Sequence, residues 1–377
     1  MPDMATHATT PTRRQALASR PLAFRRLHGL GNDYVFVDDH ELRGLDPGEV
    51  ACAVADRHRG IGGDGLISVA PVEPNARGGP ARLRMRMWNA DGSPSGMCGN
   101  GVRGVVRYAV EEGLVEAFGD RAMPREMIVE IGDREARCRV VAIEPVFRVV
   151  VDMGRASFDW ESVPCRPVRP IRESVAGRLH GPGDLEALGV GTDAAHRWRG
   201  WGIASMGNPH LVLVATEDRD LEDLPLEAIG GRFERAPAFP ERTNVHLARV
   251  EGRGQFRLRT WERGSGVTLA CGSGACAAFA LLSRCGAVGE AATARLDGGD
   301  LDLALGDHER IEMTGPSEPC CTGTADLAAL LANLGRGAGP AARPVPDRGF
   351  DQSSDRRSDG GATCPPLEIE LAEGGAP

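Results

Sequence analysis

The sequence predicts an α/β protein that contains the same structural unit twice. Residues 86–103, RMWNADGSPSGMCGNGVR, have a counterpart at residues 259–276, RTWERGSGVTLACGSGAC, with identical spacing of the Arg, Trp and Cys positions. A strand, a Gly-Asn turn and a second strand precede each copy at a similar distance, with the turns ending at Asn32 and Asn208. Several features repeated in one order indicate an internal duplication. Each half is therefore expected to hold one copy of the same α/β unit.

The composition is that of a soluble globular protein whose partner is a small molecule. The 377 residues suffice for two domains of ordinary size, and 41% of them are hydrophobic and 26% charged. The net charge is -9 and no basic run interleaves with aromatic residues, so a nucleic-acid partner is not expected. All 44 basic residues are Arg. Without Lys the chain cannot form the Schiff base of pyridoxal-phosphate catalysis, and no cofactor is expected.

The cysteines and the chain ends favour a reducing compartment. The ten Cys include no CxxC pair and no Cys/His spacing suited to zinc, so free thiols and no metal are expected. Neither a secretory signal nor an apolar run of about 18 residues is visible, which predicts a cytoplasmic protein without a membrane partner. Residues 1–20 and the Gly-, Pro-, Asp- and Ser-rich residues 335–377 are predicted to be disordered extensions.

The first copy of the unit begins near Leu22. A strand, a Gly-marked turn and a second strand are predicted from FRRLHGLGNDYVFVDD, and a helix from residues 47–58. Residues 82–88 alternate basic and apolar side chains, which is the period of a half-buried strand. A helix is predicted after Cys98, because Val and Ala recur on one face as far as a capping Gly113.

The second copy follows a junction that we place around Pro145, among the strands MIVEI, RCRVVAI and VFRVVVDM. Residues 164–200 predict an inserted loop with one short helix. Strands are then predicted in WGIASMGNPHLVLV and QFRLRTW. The helix after Cys271, ACAAFALLSRC, is apolar nearly all round, so it should run through the middle of its domain. The strands LDLAL and RIEMTG complete this half.

Two cysteines, Cys98 and Cys271, precede these two helices in the sequences CGNG and CGSG. Backbone amides and the helix dipole stabilise a thiolate there and should lower its pKa. The glycines allow the same amides to hold a substrate carboxylate. If the helix ends face each other, one thiolate can take the α-proton of a bound amino acid while the opposite thiol returns one, which inverts the centre. For the other eight Cys, a structural thiol is the simpler interpretation.

Further polar residues in the repeated motifs suit a zwitterionic amino acid. Five asparagines lie in Gly- or Thr-marked turns, where each taken alone could be an ordinary turn residue. They are Asn32, Asn89, Asn100, Asn208 and Asn244. His210 and Glu262 are either a core histidine and a surface acid or, beside two thiols, the pair that sets which sulfur carries the proton. Arg263 either pairs with Glu262 or binds a substrate carboxylate.

Seven motifs in order make the sequence similar to the diaminopimelate epimerase family, whose members interconvert LL- and meso-diaminopimelate on the way to lysine and cell-wall peptide. The resemblance covers roughly residues 22–330. The motifs are HGLGNDYVFVD, DRHRGIGGDG, NADGSPSGMCGNGVR, SMGNPH, FPERTNV, ERGSGVTLACGSGACAA and MTGPSEP. The resemblance implies two pseudo-symmetric α/β domains, each a curled, mostly antiparallel sheet or barrel around a central helix, with the site in the cleft between them. It also implies catalysis without a cofactor and a homodimer.

The resemblance also implies domain bounds and residue roles. The N-terminal domain is expected at residues 21–144, joined by a returning segment at about 317–330, and the C-terminal domain at residues 145–316. The catalytic cysteines fall on Cys98, the donor in one direction, and Cys271, the acceptor. The pair that tunes their pKa falls on His210 and Glu262. The substrate contacts fall on Asn32, Asn89, Gly99, Asn100, Asn208, Asn244, Glu262, Arg263, Gly272 and Ser273.

Three other functions share parts of this pattern. A proline racemase or 4-hydroxyproline epimerase also has two cysteines, but its first motif usually reads CGHG. Isomerases of the phenazine-biosynthesis type usually replace the cysteines by other acids. A non-catalytic thiol sensor would form a regulatory disulfide between Cys98 and Cys271, but it would need neither His210, Glu262 nor the glycines that suit a carboxylate.

Overall fold

The computed structural model describes most of the chain between Arg20 and Leu334. The described ranges are 20–72, 79–96, 99–115, 126–171, 177–191, 197–218 and 220–334. The extensions predicted at residues 1–20 and 335–377 lie outside these ranges apart from Arg20. All described residues belong to one compact unit. Among them, no helix is long and apolar enough to cross a membrane.

Strands dominate the described part of the chain. The strands are β1 Pro21–Gly29, β2 Asn32–Asp38, β3 Gly65–Val72, β4 Ala81–Asn89, β5 Pro94–Ser95, β6 Glu126–Ile131, β7 Arg134–Ala142, β8 Arg148–Asp152, β9 Trp198–Ser205, β10 Pro209–Ala215, β11 Asn244–Gly252, β12 Gln255–Glu262, β13 Gly266–Thr268, β14 Ala291–Leu296, β15 Gly299–Leu305, β16 Ile311–Pro316 and β17 Glu318–Asp326. The helices are α1 Pro47–Ala55, α2 Gly99–Glu111, α3 Leu226–Glu234, α4 Gly272–Arg284 and α5 Leu327–Leu334. Short 3-10 helices occupy Asp39–Leu42, Pro182–Leu188, Leu221–Asp223 and Asp307–Glu309.

The strand pairing repeats itself, as the duplicated sequence predicts. In the first half β1 pairs with β2, β2 with β3, β3 with β4, β4 with β6, and β6 with β7. In the second half β9 to β15 pair in the same succession with the same directions. Parallel pairing is limited, among the described strands, to β2–β3, β4–β6 and their counterparts β10–β11 and β12–β14. The fold is therefore a duplicated, mostly antiparallel α/β structure.

The two halves join through one strand pair and exchange their edge segments. β8 pairs with β7 and also, antiparallel, with β16, so hydrogen bonds run continuously from one half to the other. β17 returns to pair with β1, and the segment after β8 makes the matching bridges Ser157–Ser205 and His180–Trp201 to β9. The pairings found among the described strands run from β17 to β9 without joining those two ends. The sheet is thus open and does not close into a barrel.

Each half wraps its sheet around one helix. Helix α2 buries the predicted Val and Ala face, and it ends where Gly113 takes a positive φ of 69°. In α4 the run from Gly274 to Leu282 is wholly buried, as its apolar composition predicts. Both helices contribute to the same large apolar core, which also contains Met313 of β16. Two helices that carry the motif cysteines at their starts are thereby held in one core.

Two local predictions differ in detail from the structure. Helix α1 ends at Ala55 rather than His58, because the Asp56 carboxylate accepts hydrogen bonds from the next amides and forms a turn instead. In the inserted segment the predicted short helix is present as Pro182–Leu188. That segment also packs Leu185 and Leu188 into a second apolar core beneath β9 and α3, so it is part of the folded unit.

The close packing of α2 against β2 is a testable feature of the fold. A methyl group at Gly104 would lie 2.2 Å from the Cζ atom of Phe36, so Gly104→Ala should displace a fully buried ring. We expect a loss of about 1–3 kcal/mol in the free energy of unfolding, as for overpacked cores, measured by chemical denaturation. Gly254→Ala is the matched control, because no atom lies within 4 Å of the added methyl group. Equal stability of the two variants would contradict this packing.

Candidate active site

The starts of helices α2 and α4 meet in the interior. A Cβ atom built on Gly272, the first residue of α4, would lie 3.9 Å from the Cα atom of Gly99, the first residue of α2. Built Cβ atoms at both positions would also touch Met313, at 2.9 Å for Gly99 and 3.1 Å for Gly272. The two backbones are thus close neighbours, and Met313 packs against both glycines. The positive ends of two helix dipoles consequently face one small volume, which suits an anionic group.

Cys98 lies outside the described residues, together with Met97. The residues that follow it, Gly99 and Asn100, are described and buried at the start of α2. The structure therefore defines the position of the helix to which Cys98 is attached but not the position of its sulfur.

Cys271 is the N-cap residue of α4 and is almost fully buried. Its Sγ accepts a hydrogen bond from the amide of Gly274 at 3.4 Å and lies 3.5 Å from the Oγ of Ser273. Burial first, and then the charge of Glu262, nevertheless raise the pKa of Cys271 well above its ordinary value. The sequence-based prediction of a lowered pKa at this position is wrong, because the capping hydrogen bonds do not offset the loss of water and the neighbouring carboxylate.

Glu262 ends β12 and lies within hydrogen-bonding reach of the Cys271 thiol. Its Oε1 accepts a hydrogen bond from the Thr268 hydroxyl at 2.6 Å. Burial raises the pKa of Glu262, and the charge of Asp64 acts in the same direction, while the bonds from Thr268 and Cys271 oppose the shift. A neutral thiol and a carboxylate with raised proton affinity therefore share one hydrogen bond, which makes the pair suited to exchanging a proton.

Two asparagines of the first half reach across to the segment before Cys271. The Nδ2 atom of Asn32 donates to the carbonyl of Ala270 at 2.9 Å, and that of Asn100 approaches the same oxygen at 3.5 Å. The Oδ1 of Asn100 accepts from the guanidinium of Arg103 at 2.7 Å. Arg103 is fully buried and also donates to the carbonyl of Pro316. These bonds hold the first turn of α2 beside the start of α4.

Asn89 and Asn208 have different hydrogen-bond partners at the site. Asn89 ends β4, at the position equivalent to Glu262, and its Nδ2 donates to Ser93 Oγ at 3.0 Å. Asn208 directs its Nδ2 towards Ser273 Oγ at 3.4 Å. Its Oδ1 lies 2.9 Å from Nε2 of His210. His210 is thus linked to the start of α4 through Asn208.

Asn244 and Arg263 form a separate group beside this site. Asn244 donates to the carbonyl of Pro209 at 2.8 Å and accepts from the amide of Arg263 at 2.9 Å. The Arg263 guanidinium donates to the carbonyl of Glu241 at 3.0 Å. An ion pair between Arg263 and Glu262 is not found in the described part of the chain, so that alternative is not realised here.

Three buried residues at the site were missed by the sequence analysis. His246 contacts His210, Thr260 contacts His246, and Arg103 contacts Asn100. One signal was available for His246, since it lies two residues after Asn244 on β11 and shares its face of the strand. The contacts with His210 and Thr260 depend on strand register, which the local sequence does not reveal.

Comparisons with known proteins agree with this architecture. The family model for diaminopimelate epimerase matches residues 24–158 and 202–319, one match in each half of the duplicated fold. A curated diaminopimelate epimerase of Geobacillus kaustophilus is 38% identical over 310 residues, which are 81% of this chain and 96% of that protein. Among solved structures, a phenazine biosynthesis protein of the PhzF family from Bacillus anthracis aligns with a TM-score of 0.56 at 11% identity, covering 81% of this chain and 99% of the other. A Pseudomonas aeruginosa protein described as a predicted epimerase aligns with a TM-score of 0.53 at 17% identity, with the same coverage.

These matches place the duplicated fold, with a helix start from each half meeting at one buried site, among the isomerases of the epimerase type. Within that class, the family model that matches both halves of the chain identifies the family. The chain belongs to the diaminopimelate epimerase family.

The charge of Glu262 provides a test of the site's electrostatics. Because that charge raises the pKa of Cys271, Glu262→Gln should lower it, and alkylation of Cys271 by iodoacetamide should begin at lower pH. Peptide-resolved mass spectrometry across a pH series measures this for Cys271 alone. Glu227→Gln, at an exposed position on α3, is the control and should leave the profile unchanged. An alkylation profile of Cys271 that does not move in Glu262→Gln would refute the coupling.

Proposed function

We propose that the protein epimerises LL-2,6-diaminopimelate to meso-diaminopimelate without a cofactor, with Cys98 and Cys271 as the two acid-base groups. The observation that carries the proposal is the meeting of two helix starts at Gly99 and Gly272, each directly preceded by a cysteine in the sequence. If the carboxylate of a substrate is bound between the two helix ends, one cysteine from each half would lie on each side of the substrate's α-carbon. Family membership supports the choice of substrate.

The reaction removes one proton from the α-carbon of the substrate and adds another proton to the opposite face of the same carbon. A thiolate on one face takes the α-proton, and the electron pair left at the α-carbon is delocalised into the carboxylate, whose charge the amides at the two helix starts stabilise. The thiol on the opposite face then gives its proton to the carbon, which inverts the configuration. The two sulfurs end with exchanged protonation states, which are those needed for the reverse reaction. Another LL molecule can be converted only after the first sulfur has released its proton and the second has gained one by exchange with solvent.

The state of Cys271 suits the direction in which Cys271 gives its proton and Cys98 accepts one. Its raised pKa means that Cys271 is a thiol at neutral pH without substrate, ready to donate. To act as acceptor in the other direction it must first lose its proton, and Glu262 is the hydrogen-bonded group that can receive it. The role of His210 is indirect, through Asn208 and Ser273.

The remaining assignments belong to the same proposal. We place the site in the cleft between an N-terminal domain of residues 21–144, joined by about 317–330, and a C-terminal domain of residues 145–316. The protein would act in the cytoplasm as a homodimer, in the synthesis of lysine and peptidoglycan precursors. Substrate contacts are assigned to Asn32, Asn89, Gly99, Asn100, Asn208, Asn244, Glu262, Arg263, Gly272 and Ser273.

Replacement of each sulfur tests the proposal. Cys98→Ala and Cys271→Ala should each lower kcat for diaminopimelate by about 10²- to 10⁴-fold, the usual contribution of a general acid or base. Cys285→Ala is the control, because Cys285 lies at the opposite end of α4 and should leave kcat unchanged. Wild-type kcat in either motif variant would contradict the two-cysteine mechanism. Turnover of proline but not of diaminopimelate would contradict the substrate assignment.

A further inference from the structure

A buried row of polar side chains leads from β12 to the start of α4. Thr260 Oγ1 lies 3.0 Å from Nδ1 of His246, and Nε2 of His246 lies 2.9 Å from Nδ1 of His210. Nε2 of His210 lies 2.9 Å from Oδ1 of Asn208. The two histidines are fully buried, and Thr260 is 1% exposed. Strand register creates the row, since His246 pairs with Thr260 of β12 and with Val212 of β10, which lies two residues after His210.

The position of each proton in this row follows from Asn208, the residue at its end. Asn208 presents an amide oxygen to His210, and an amide oxygen can only accept, so Nε2 of His210 must carry a proton. Burial, the neighbouring His246 and the charge of Arg263 hold the pKa of His210 well below its ordinary value, and burial lowers the pKa of His246 to about 3. Both rings are therefore neutral at pH 7 and have one N–H each.

The rest of the row is then determined. A neutral His210 with its proton on Nε2 has an unprotonated Nδ1, which accepts from Nε2–H of His246. Nδ1 of His246 is in turn unprotonated and accepts the hydroxyl proton of Thr260. Reversal of any one step would leave two acceptors or two donors facing each other in a buried place.

We propose that His246 and Thr260 are positioning residues that fix the Nε2–H tautomer of His210 and thereby hold the Asn208 amide with its Nδ2 towards Ser273, next to the Cys271 thiol. The effect on catalysis rests on the function proposed above, whereas the tautomer does not. His246 also packs directly against the first turn of α4, since a Cβ atom at Gly274 would lie 2.1 Å from its Cε1. The ring thus supports the same turn that carries the active-site amides.

The row has no counterpart among the described residues of the first half. Strand register makes Tyr34, Ile67 and Met87 the first-half equivalents of His210, His246 and Thr260. These three are buried in the apolar core, and two of them have no hydrogen-bonding side chain. The tautomer control is therefore a device of the Cys271 side, and it adds to the chemical difference between the two halves of the site.

Two variants of His246 test the proposal. His246→Gln keeps an N–H donor for His210, whereas His246→Met has a similar size and no donor. Nitrogen-15 NMR of histidine-labelled protein at pH 7.5 should show His210 as the Nε2–H tautomer in the wild type and in His246→Gln. In His246→Met the ring should become a mixture of tautomers, because the Asn208 amide can then turn to present either its oxygen or its Nδ2 to Nε2 of His210. We expect kcat to fall on the order of tenfold in His246→Met, the worth of one hydrogen bond, and to recover in His246→Gln.

The outcomes separate this inference from the proposed function. A wild-type His210 that is protonated on Nδ1, or on both nitrogens, at pH 7.5 overturns the inference whatever the enzyme activity. Equal tautomers and equal kcat in the Gln and Met variants overturn it as well. An Nε2–H tautomer in a protein without diaminopimelate turnover would support the tautomer assignment and contradict only the function. If His246→Met does not fold, the wild-type spectrum and its comparison with His246→Gln decide the question.

Discussion

The close approach of two helix starts is the constraint on which the rest of the structure depends. Gly99 and Gly272 lie next to each other, and the large shared core, with Met313 against both, holds them there. The continuous pairing through β8 and β16 fixes the two halves in register behind them. A duplicated chain thereby creates one site with two equivalent helix dipoles, which is the geometry that a carboxylate held from both sides requires.

A symmetric scaffold must still act on an asymmetric carbon, and the differences between the halves supply the asymmetry. Asn89 stands where the second half has Glu262, and its Nδ2 donates to the hydroxyl of Ser93. Asn100 stands where the second half has Ser273, and it is held by the buried Arg103. Among the described residues, the histidine row contacts the half that carries Cys271. In the proposed mechanism these differences allow Cys271 to rest as a thiol beside the Glu262 carboxylate.

Much of the fold could be predicted from the sequence because its signals are local and repeated. Three patterns of apolar residues indicate which faces are buried. They are the helical period of α2, the all-round apolar surface of α4 and the alternation of apolar and basic residues in β4. The pKa of Cys271 could not be predicted in this way. Its capping bonds are local and favour a thiolate, but the stronger effects are burial and Glu262, which arrive through tertiary packing. The role of His246 could not be predicted for the same reason, since its hydrogen-bond partners lie on two other strands.

The fate of the α-proton in D2O tests the two-cysteine mechanism most directly. At low conversion of LL-diaminopimelate, a thiolate that removes the proton and a separate S–D group that replaces it should place one deuterium at the inverted carbon of the meso product. The recovered LL substrate should keep its hydrogen. The sulfur that removed the α-proton carries that same proton, so it can only return hydrogen, and not deuterium, to the original face before the product leaves. Deuterium appearing in the LL substrate as fast as in the product, or a product that retains the original hydrogen, would contradict a mechanism with one cysteine on each face.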